Sequence, residues 1–425
     1  MNNRSYYFLN LGCPKNQADG DLVRGTLSGL GLVERAVPDN VDFIIVNTCA
    51  FIEEARREVK GEIGELLPAR ENGTRLVAIG CYPMLTDMRR EMPQIDAAFG
   101  LNQLEEFYRF VTGSSVKQDM LERGSRIIND LPYAYVKIAD GCDNRCSYCT
   151  IPTIRGPYDE RPPAELLAEA EYLVRGGVKE IVLVAQDTAI YGRGGDSRLD
   201  LAELAESLSG IDGIEWIRIL YAHPAHLNKY LLDSLFNNPK VARYLDIPLQ
   251  HISPGILSLM RRHYDPDAIK KLINYLRSID ESISLRTTFM VGFPGETNDD
   301  FKQLLDFAEE IEFDYAGVFR YSPESGTDAV NFAEPVIPEL AEERYQMLYD
   351  TIDRISGEKA RAQIGNRRRL LIERPSVDRS DSWEARSYRQ APEIDGYYKI
   401  SSGAKLRAGD FIESLITDID EAGPC

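Results

Sequence analysis

Apolar residues along the first hundred positions fall in short unbroken blocks. Tyr6 to Leu11, Phe43 to Asn47 and Arg75 to Gly80 are compact runs rich in aromatic and branched residues, and the segments between them, such as Ile52 to Leu67, are helix-length and charge-bearing. Blocks without polar alternation belong to strands buried on both faces, and their alternation with helices predicts a parallel sheet in a doubly wound α/β domain. The pattern lapses at the small polar run Thr112-Gly113-Ser114-Ser115, where the first boundary is placed. It resumes at Tyr133 to Ile138 and repeats through Glu180 to Ala185, Trp216 to Tyr221, Tyr244 to Leu249, Leu285 to Val291 and Tyr315 to Arg320. Six β/α units predict a partial barrel of the TIM kind. A long helix from about Pro338 to Ala362 is stopped by Gly365-Asn366, and four short strands follow: Arg369 to Glu373, Trp383 to Tyr388, Tyr397 to Ile400 and Phe411 to Thr417. These predict a small antiparallel β-barrel. The expected division is 1–120, 128–359 and 360–425.

Composition changes this picture only in its partners. The 425 residues carry 49 Lys+Arg against 68 Asp+Glu, a net charge of -19. From position 360 onward there are 11 of each sign, so the whole imbalance (38 against 57) lies in the first two domains. A chain this acidic does not hold nucleic acid through a broad basic surface, so nucleic-acid binding is expected to be weak or indirect. No apolar run reaches the roughly 20 residues that cross a bilayer. The expectation is a cytoplasmic protein without a membrane partner.

The candidate chemistry lies in seven cysteines: Cys13, Cys49, Cys81, Cys142, Cys146, Cys149 and Cys425. The run Asp140-Gly141-Cys142-Asp143-Asn144-Arg145-Cys146-Ser147-Tyr148-Cys149 follows the first barrel strand, at the carboxyl edge where barrel active sites sit. Three thiolates in one loop can hold three irons of a [4Fe-4S] cube and leave the fourth open, whereas a pure electron carrier supplies four cysteines. A structural zinc site with an unseen fourth ligand, or simply buried thiols, would also account for three cysteines. Cys13, Cys49 and Cys81 follow the three strands of the first domain at spacings of 36 and 32, each about one βα unit. Right-handed crossovers make those strands parallel, so all three thiols emerge at the edge where open α/β sheets bind ligands. Buried cysteines placed there as small hydrophobes are the plainer alternative. Cys425 has no assigned role.

The CxxxCxxC run resembles the signature of the radical S-adenosylmethionine (SAM) enzymes. The resemblance implies that SAM chelates the open iron through its amine and carboxylate, and that reductive cleavage yields methionine and a 5′-deoxyadenosyl radical, so Cys142, Cys146 and Cys149 would be both metal ligands and the catalytic centre. Two three-cysteine sets with a small β tail resemble the methylthiotransferases over essentially the whole chain. That family implies an amino-terminal α/β domain with an auxiliary [4Fe-4S] cluster on Cys13, Cys49 and Cys81, a radical SAM barrel and a carboxyl-terminal TRAM barrel. Leu11-Gly12-Cys13-Pro14-Lys15-Asn16, Asp246-Ile247-Pro248-Leu249-Gln250-His251-Ile252-Ser253 and Arg320-Tyr321-Ser322-Pro323-Glu324-Ser325-Gly326-Thr327 resemble the branch acting on an aspartate of small-subunit ribosomal protein twelve, free or in the ribosome. Gln17-Ala18-Asp19-Gly20-Asp21, and Glu160 before Arg161, depart from that branch's usual residues. The resemblance implies two [4Fe-4S] clusters, two SAM molecules per turnover, a basic protein substrate suited to an acidic enzyme, and a low-potential electron donor such as flavodoxin or ferredoxin. The rival within the same chemistry is methylthiolation of a tRNA adenosine. A non-catalytic iron-sulfur redox protein is the rival outside it.

Beyond the cysteines, Val291 and Gly292, in the Met290-Val291-Gly292-Phe293-Pro294-Gly295-Glu296 turn, take the place of the segment that lies against adenine in radical SAM barrels. Gln186-Asp187, Tyr221, His223, Gln250, His251 and Arg320 occupy strand ends on the active face, and Gln186 and His251 are the chosen cofactor contacts. His251 would serve ribose contact or proton handling. His226 has no motif around it. His263, beside Arg261 and Arg262, reads as solvated, and Arg367-Arg368-Arg369 as a solvated strand entry.

Overall fold

The computed structural model describes residues 4–70, 73–114, 126–193, 199–377, 382–401 and 405–418. Cys425 and Ser115 lie outside them. The chain divides into two units, one of Met1–Asn129, Tyr135–Asp143 and Cys149–Asp159, the other of Asp130–Ala134, Asn144–Tyr148 and Glu160–Cys425.

The first unit is a five-stranded parallel sheet. Its strands are β1 (Ser5–Asn10), β2 (Val33–Glu34), β3 (Phe43–Thr48), β4 (Arg75–Gly80) and β5 (Ala97–Gly100), in the order β2-β1-β3-β4-β5. This is the flavodoxin-like order, whose switch point lies between β1 and β3. The unbroken apolar runs divide by pleat. Ile44, Val46, Leu76 and Ala78 join a core with Val59 and Ile63 of helix Glu53–Leu66. Their neighbours Phe43, Ile45, Val77 and Ile79 join another with Val23 and Leu27 of helix Pro14–Gly29 and Phe107 and Val111 of helix Leu104–Thr112. Period-two alternation thus buries both faces of the sheet, as the doubly wound reading requires.

The second unit carries the rest of the barrel. Strand β6 (Tyr133–Lys137) begins in it, and the Pro132 carbonyl accepts from the Lys179 and Glu180 N–H groups. Strand β7 (Glu180–Val184) pairs in parallel with β8 (Trp216–Ile219), and β10 (Ser284–Val291) pairs in parallel with both β9 (Tyr244–Gln250) and β11 (Tyr315–Arg320). A single parallel bridge, Ile217 to Val241, joins the two sets. These are the six strands of a partial (β/α) barrel. Helix Pro338–Arg361 then leads to the tail, whose strands β12 (Arg367–Pro375), β13 (Ser382–Arg386), β14 (Tyr398–Ser401) and β15 (Phe411–Leu415) form an antiparallel sheet in the order β14-β13-β12-β15. Its own core is small: Leu370, Ile372 and Ala385 are fully buried, with Trp383, Tyr398, Ile400 and Ile412 partly covered around them.

The tail is tied to the barrel by buried charge. Glu180 of β7 and Arg218 of β8 pair at 2.6 Å, Arg386 of β13 pairs with Glu180 at 2.7 Å, and Arg386 also pairs with Glu373 of β12 at 2.5 Å. The arginine run stands at the entry of β12 with Arg367 and Arg369 exposed, and two of its members also make surface contacts. Arg369 pairs with Glu215 at 2.7 Å and lies over the Phe411 ring, and Arg368 donates to Gln363.

Candidate active site

In the first unit, β1, β3 and β4 are followed by Cys13, Cys49 and Cys81. Cys13 caps helix Pro14–Gly29, its carbonyl accepting from the Asn16 and Gln17 N–H groups. Gly12 stands in the left-handed region (φ +92°), and a Cβ there would fall 2.7 Å from Cys49 Cβ, so only glycine lets the β1 exit pass the second cysteine. Asn16 knits the exits together: its Nδ2 donates to the Leu11 carbonyl at 2.6 Å and the Thr48 carbonyl at 3.3 Å. The six described cysteines are all free thiols.

These three thiols share one electrostatic environment. Burial opposes ionisation of Cys13, but Lys15, Arg155 and the backbone N–H groups of Asn16 and Lys15 outweigh it, leaving the group below its ordinary value. Burial, then the neighbouring Cys13, raises Cys49. Burial pushes Cys81 up to about 12, opposed by Arg155 and reinforced by Cys13 and Cys49. Three thiols near enough to perturb one another, with Lys15 and Arg155 favouring the thiolate form, fit the ligands of a metal group that takes thiolates.

The second triplet lies on a loop with a closed neck. Asp140 accepts from Arg155 at 3.0 Å, and the Cys142 N–H donates to the Gly156 carbonyl at 3.2 Å. Gly141 has φ +66°, and a Cβ there would lie 1.9 Å from the Pro157 carbonyl oxygen. The middle of the loop is held within the second unit. The Ser147 N–H donates to the Met260 carbonyl and its Oγ to the Leu259 carbonyl. Ser147's own carbonyl accepts from the Ala329 N–H, and Asn144 Nδ2 donates to Asp187 Oδ2 at 2.9 Å. Arg262 Nη1 stands 3.7 Å from Cys146 Sγ and 3.4 Å from the Tyr148 hydroxyl. The spacing of three thiols in eight residues suits three ligands to one cluster.

The remaining candidates lie at the carboxyl ends of the barrel strands. Gln186, two residues beyond β7, has both amide atoms buried without a hydrogen-bond partner among the described residues. A buried polar group left in that state is costly unless a ligand satisfies it. His251, beyond β9, is fully buried. Its Nδ1 accepts from the Ser253 N–H, its Nε2 stands 3.7 Å from Glu296, and burial pushes its pKa down to about 3, so the ring is neutral. Val291 is fully buried and its carbonyl accepts from the Tyr321 N–H, while the Gly292 N–H donates to Glu296 Oε2 at 2.9 Å. His251, Gly292 and Arg344 thus converge on Glu296, the last at 2.7 Å.

Four contributors escaped the sequence reading. His226 lies 2.6 Å from Asp187, whose other oxygen accepts from the His223 and Ala189 N–H groups. Asn144 was read only as part of the loop. Arg262, grouped with solvated neighbours, is buried between exposed Arg261 and exposed His263. Arg155 reaches the first cysteine set from beyond the second, its Nη2 donating to Cys81 Sγ at 3.2 Å. At 261–263 the run Arg-Arg-His is polar throughout, so nothing local marks its middle residue as buried.

Residues 136–308 match the radical SAM superfamily, residues 5–100 match a family described as uncharacterized protein family UPF0004, and residues 364–422 match the TRAM domain. Among curated proteins, the chain is similar to the ribosomal protein uS12 methylthiotransferase RimO of three organisms. That of Carboxydothermus hydrogenoformans is 36% identical over 98% of this chain and 97% of the relative. That of Aquifex aeolicus is 38% identical over 98% and 96%, and that of Pelotomaculum thermopropionicum 40% identical over 98% of each. Among solved structures, the radical S-adenosylmethionine methyltransferase TsrM from Kitasatospora setae, with cobalamin and a [4Fe-4S] cluster bound, matches at a TM-score of 0.56 and 15% identity, over 77% of each chain. At that identity the likeness is one of fold.

Proposed function

We infer the activity of this chain from the family to which it belongs, the RimO methylthiotransferases of ribosomal protein uS12, together with the geometry of its two cysteine sets. It is a radical SAM enzyme that methylthiolates uS12, with SAM and [4Fe-4S] clusters as cofactors. The observation that carries the reading is identity of 36–40% along nearly the whole of both chains.

The finer assignments are ours. The acceptor is the β-carbon of an aspartate. Cys142, Cys146 and Cys149 hold the cluster that binds SAM, and Cys13, Cys49 and Cys81 hold an auxiliary cluster within residues 1–120. The barrel spans 128–359, and residues 360–425 form the TRAM unit that receives the substrate. When bound, the clusters and SAM supply a carbon radical able to remove an unactivated hydrogen and a methylated sulfur to replace it. The protein's own part is to bind, orient and exclude water. Asp187 fixes Asn144 and so the cysteine loop between Cys142 and Cys146. Gln186 offers an unpaired amide to SAM, Val291 and Gly292 offer backbone, and neutral His251, whose buried Nε2 has no hydrogen-bond partner among the described residues, offers that atom for ribose contact. Burial holds His251 neutral and raises Glu296 to about 7, against the opposing pull of Arg344. A low-potential donor such as flavodoxin or ferredoxin supplies electrons, and the enzyme works in the cytoplasm. Among the described residues no helix is long and apolar enough to cross a membrane.

The test offers reduced, SAM-charged enzyme an equimolar mixture of uS12 and unmodified tRNA, followed by mass spectrometry. A methylthio gain on the uS12 aspartate is expected. A gain on tRNA adenosine with none on the protein would overturn the substrate assignment.

A further inference from the structure

Arg155 joins the two cysteine sets inside the first unit. It lies in the short helix Ile151–Arg155 that follows Cys149, and its side chain is 2% exposed. Nη1 contacts Asp19 at 2.9 Å and Asp140 at 3.0 Å, and Nη2 contacts Cys81 Sγ at 3.2 Å and Asn16 Oδ1 at 3.5 Å. Lys137 pairs with both carboxylates as well. Two cations and two carboxylates thus form a neutral group, arranged so that its nearest approach to the sulfurs is the cationic end. The same guanidinium that closes the neck of one cysteine loop therefore touches a thiol of the other set.

We propose that Arg155 is a positioning residue that sets the reduction potential of the cluster held by Cys13, Cys49 and Cys81. The proposal rests on the auxiliary-cluster reading above. A reduced cluster carries one more negative charge than an oxidised one, so a buried cation that hydrogen-bonds a ligand sulfur favours reduction and raises the potential. Replacing it with a neutral group leaves one cation against two carboxylates, and reduction becomes harder. Removing a carboxylate instead leaves two cations against one, and reduction becomes easier. Shifts of opposite sign from two substitutions in one network belong to electrostatics and not to general loosening.

The experiment is an EPR-monitored redox titration of reconstituted full-length protein carrying Cys142→Ala, Cys146→Ala and Cys149→Ala, so that only the first set contributes a signal. Arg155→Gln is expected to change the reduction equilibrium about tenfold, a shift of about 59 mV to lower potential for a one-electron couple. Arg155→Lys is expected to keep most of the parent value, and Asp19→Asn to shift it upward. An unchanged midpoint in Arg155→Gln at full iron load, or a downward shift in Asp19→Asn, overturns the proposal. If Arg155→Gln fails to take up iron, Asp19→Asn decides alone: an upward shift supports the proposal and no shift overturns it. If the parent holds no cluster, the auxiliary-cluster reading itself fails, which is a separate result.

Discussion

Replacing Arg386 with Met should loosen the tail from the barrel while leaving the barrel folded. Arg386 is fully buried, lies over the Tyr133 ring and makes three polar contacts: Glu180 at 2.7 Å, Glu373 at 2.5 Å and the Gln390 carbonyl at 2.7 Å. Arg218, the other cation, pairs with Glu180 and donates to the Tyr388 carbonyl at 2.8 Å. Methionine fills similar space but leaves one cation against two buried carboxylates, and breaking a buried pair from one side costs about 3–5 kcal/mol. In the tail's own apolar cluster the fully buried leucine and isoleucine are Leu370 and Ile372, together contributing about 3–6 kcal/mol. One substitution therefore rivals the apolar core it leaves in place. Native-state hydrogen exchange reads this directly, with amides of β12 and β13 expected to exchange roughly a hundred- to several thousand-fold faster while those of β9 and β10 keep their protection. Adding Glu373→Gln removes the stranded charge and should restore part of the loss, a non-additive pair. Burial opposes ionisation of Glu180, but Arg218 and Arg386 hold its pKa below the usual carboxylate range. With the folded value below the unfolded one, its contribution is fully present above the unfolded pKa and fades as pH falls through the folded value. Acidification below about pH 4 should thus weaken wild-type tail protection. Unchanged protection in Arg386→Met, or a double variant worse by the full sum of the single changes, would refute this account.

Anaerobically reconstituted protein should hold about eight irons, and alanine at Cys142, Cys146 and Cys149 should leave about half while ending 5′-deoxyadenosine release; a full iron load in that variant would contradict the assignment. Gly141→Ala should lose the iron of the second set and keep that of the first, because its Cβ would meet the Pro157 carbonyl oxygen at 1.9 Å at a backbone angle that alanine avoids. Iron analysis of Gly141→Ala on two backgrounds, one lacking the first triplet and one lacking the second, reads the loss and the retention separately. Gln186→Leu should keep or slightly raise the melting temperature, since it removes a buried amide without partners, while weakening SAM binding at least about tenfold by calorimetry. Reduced stability with unchanged SAM affinity would make Gln186 a structural residue.

The sheet of the first unit was legible in the sequence because β3 and β4 are buried on both faces and read as apolar blocks, and β1, though half-buried, carries an apolar run from Tyr6 to Leu9. Strands β2 and β5 were not, being two and four residues long, too short for a periodic signal. The equivalence of Cys13, Cys49 and Cys81 followed from counting βα units, since parallel strands force successive carboxyl ends to one edge. What the count could not reach is the charge that acts on them. Arg155 is 74 positions from Cys81 and 136 from Asp19, and nothing local distinguishes it from the arginines at 145 and 161. The tail is the same case on a larger scale. Its strand pattern and the stop at Gly365-Asn366 suggest a separable module, yet Arg386 meets Glu180 across 206 positions inside the barrel's own charge network. Local pattern reports which backbone a segment adopts, because propensity and periodicity act over a few residues. A buried ion pair reports which segments fold against each other, and its partners are joined only by the finished structure. A truncation at Gln363 would therefore strip Glu180 and Arg218 of Arg386 and the Tyr388 carbonyl, and the barrel left behind should be less stable than the strand pattern alone implies. A truncated barrel that melts at the full-length temperature would show that Glu180 and Arg218 satisfy each other without the tail.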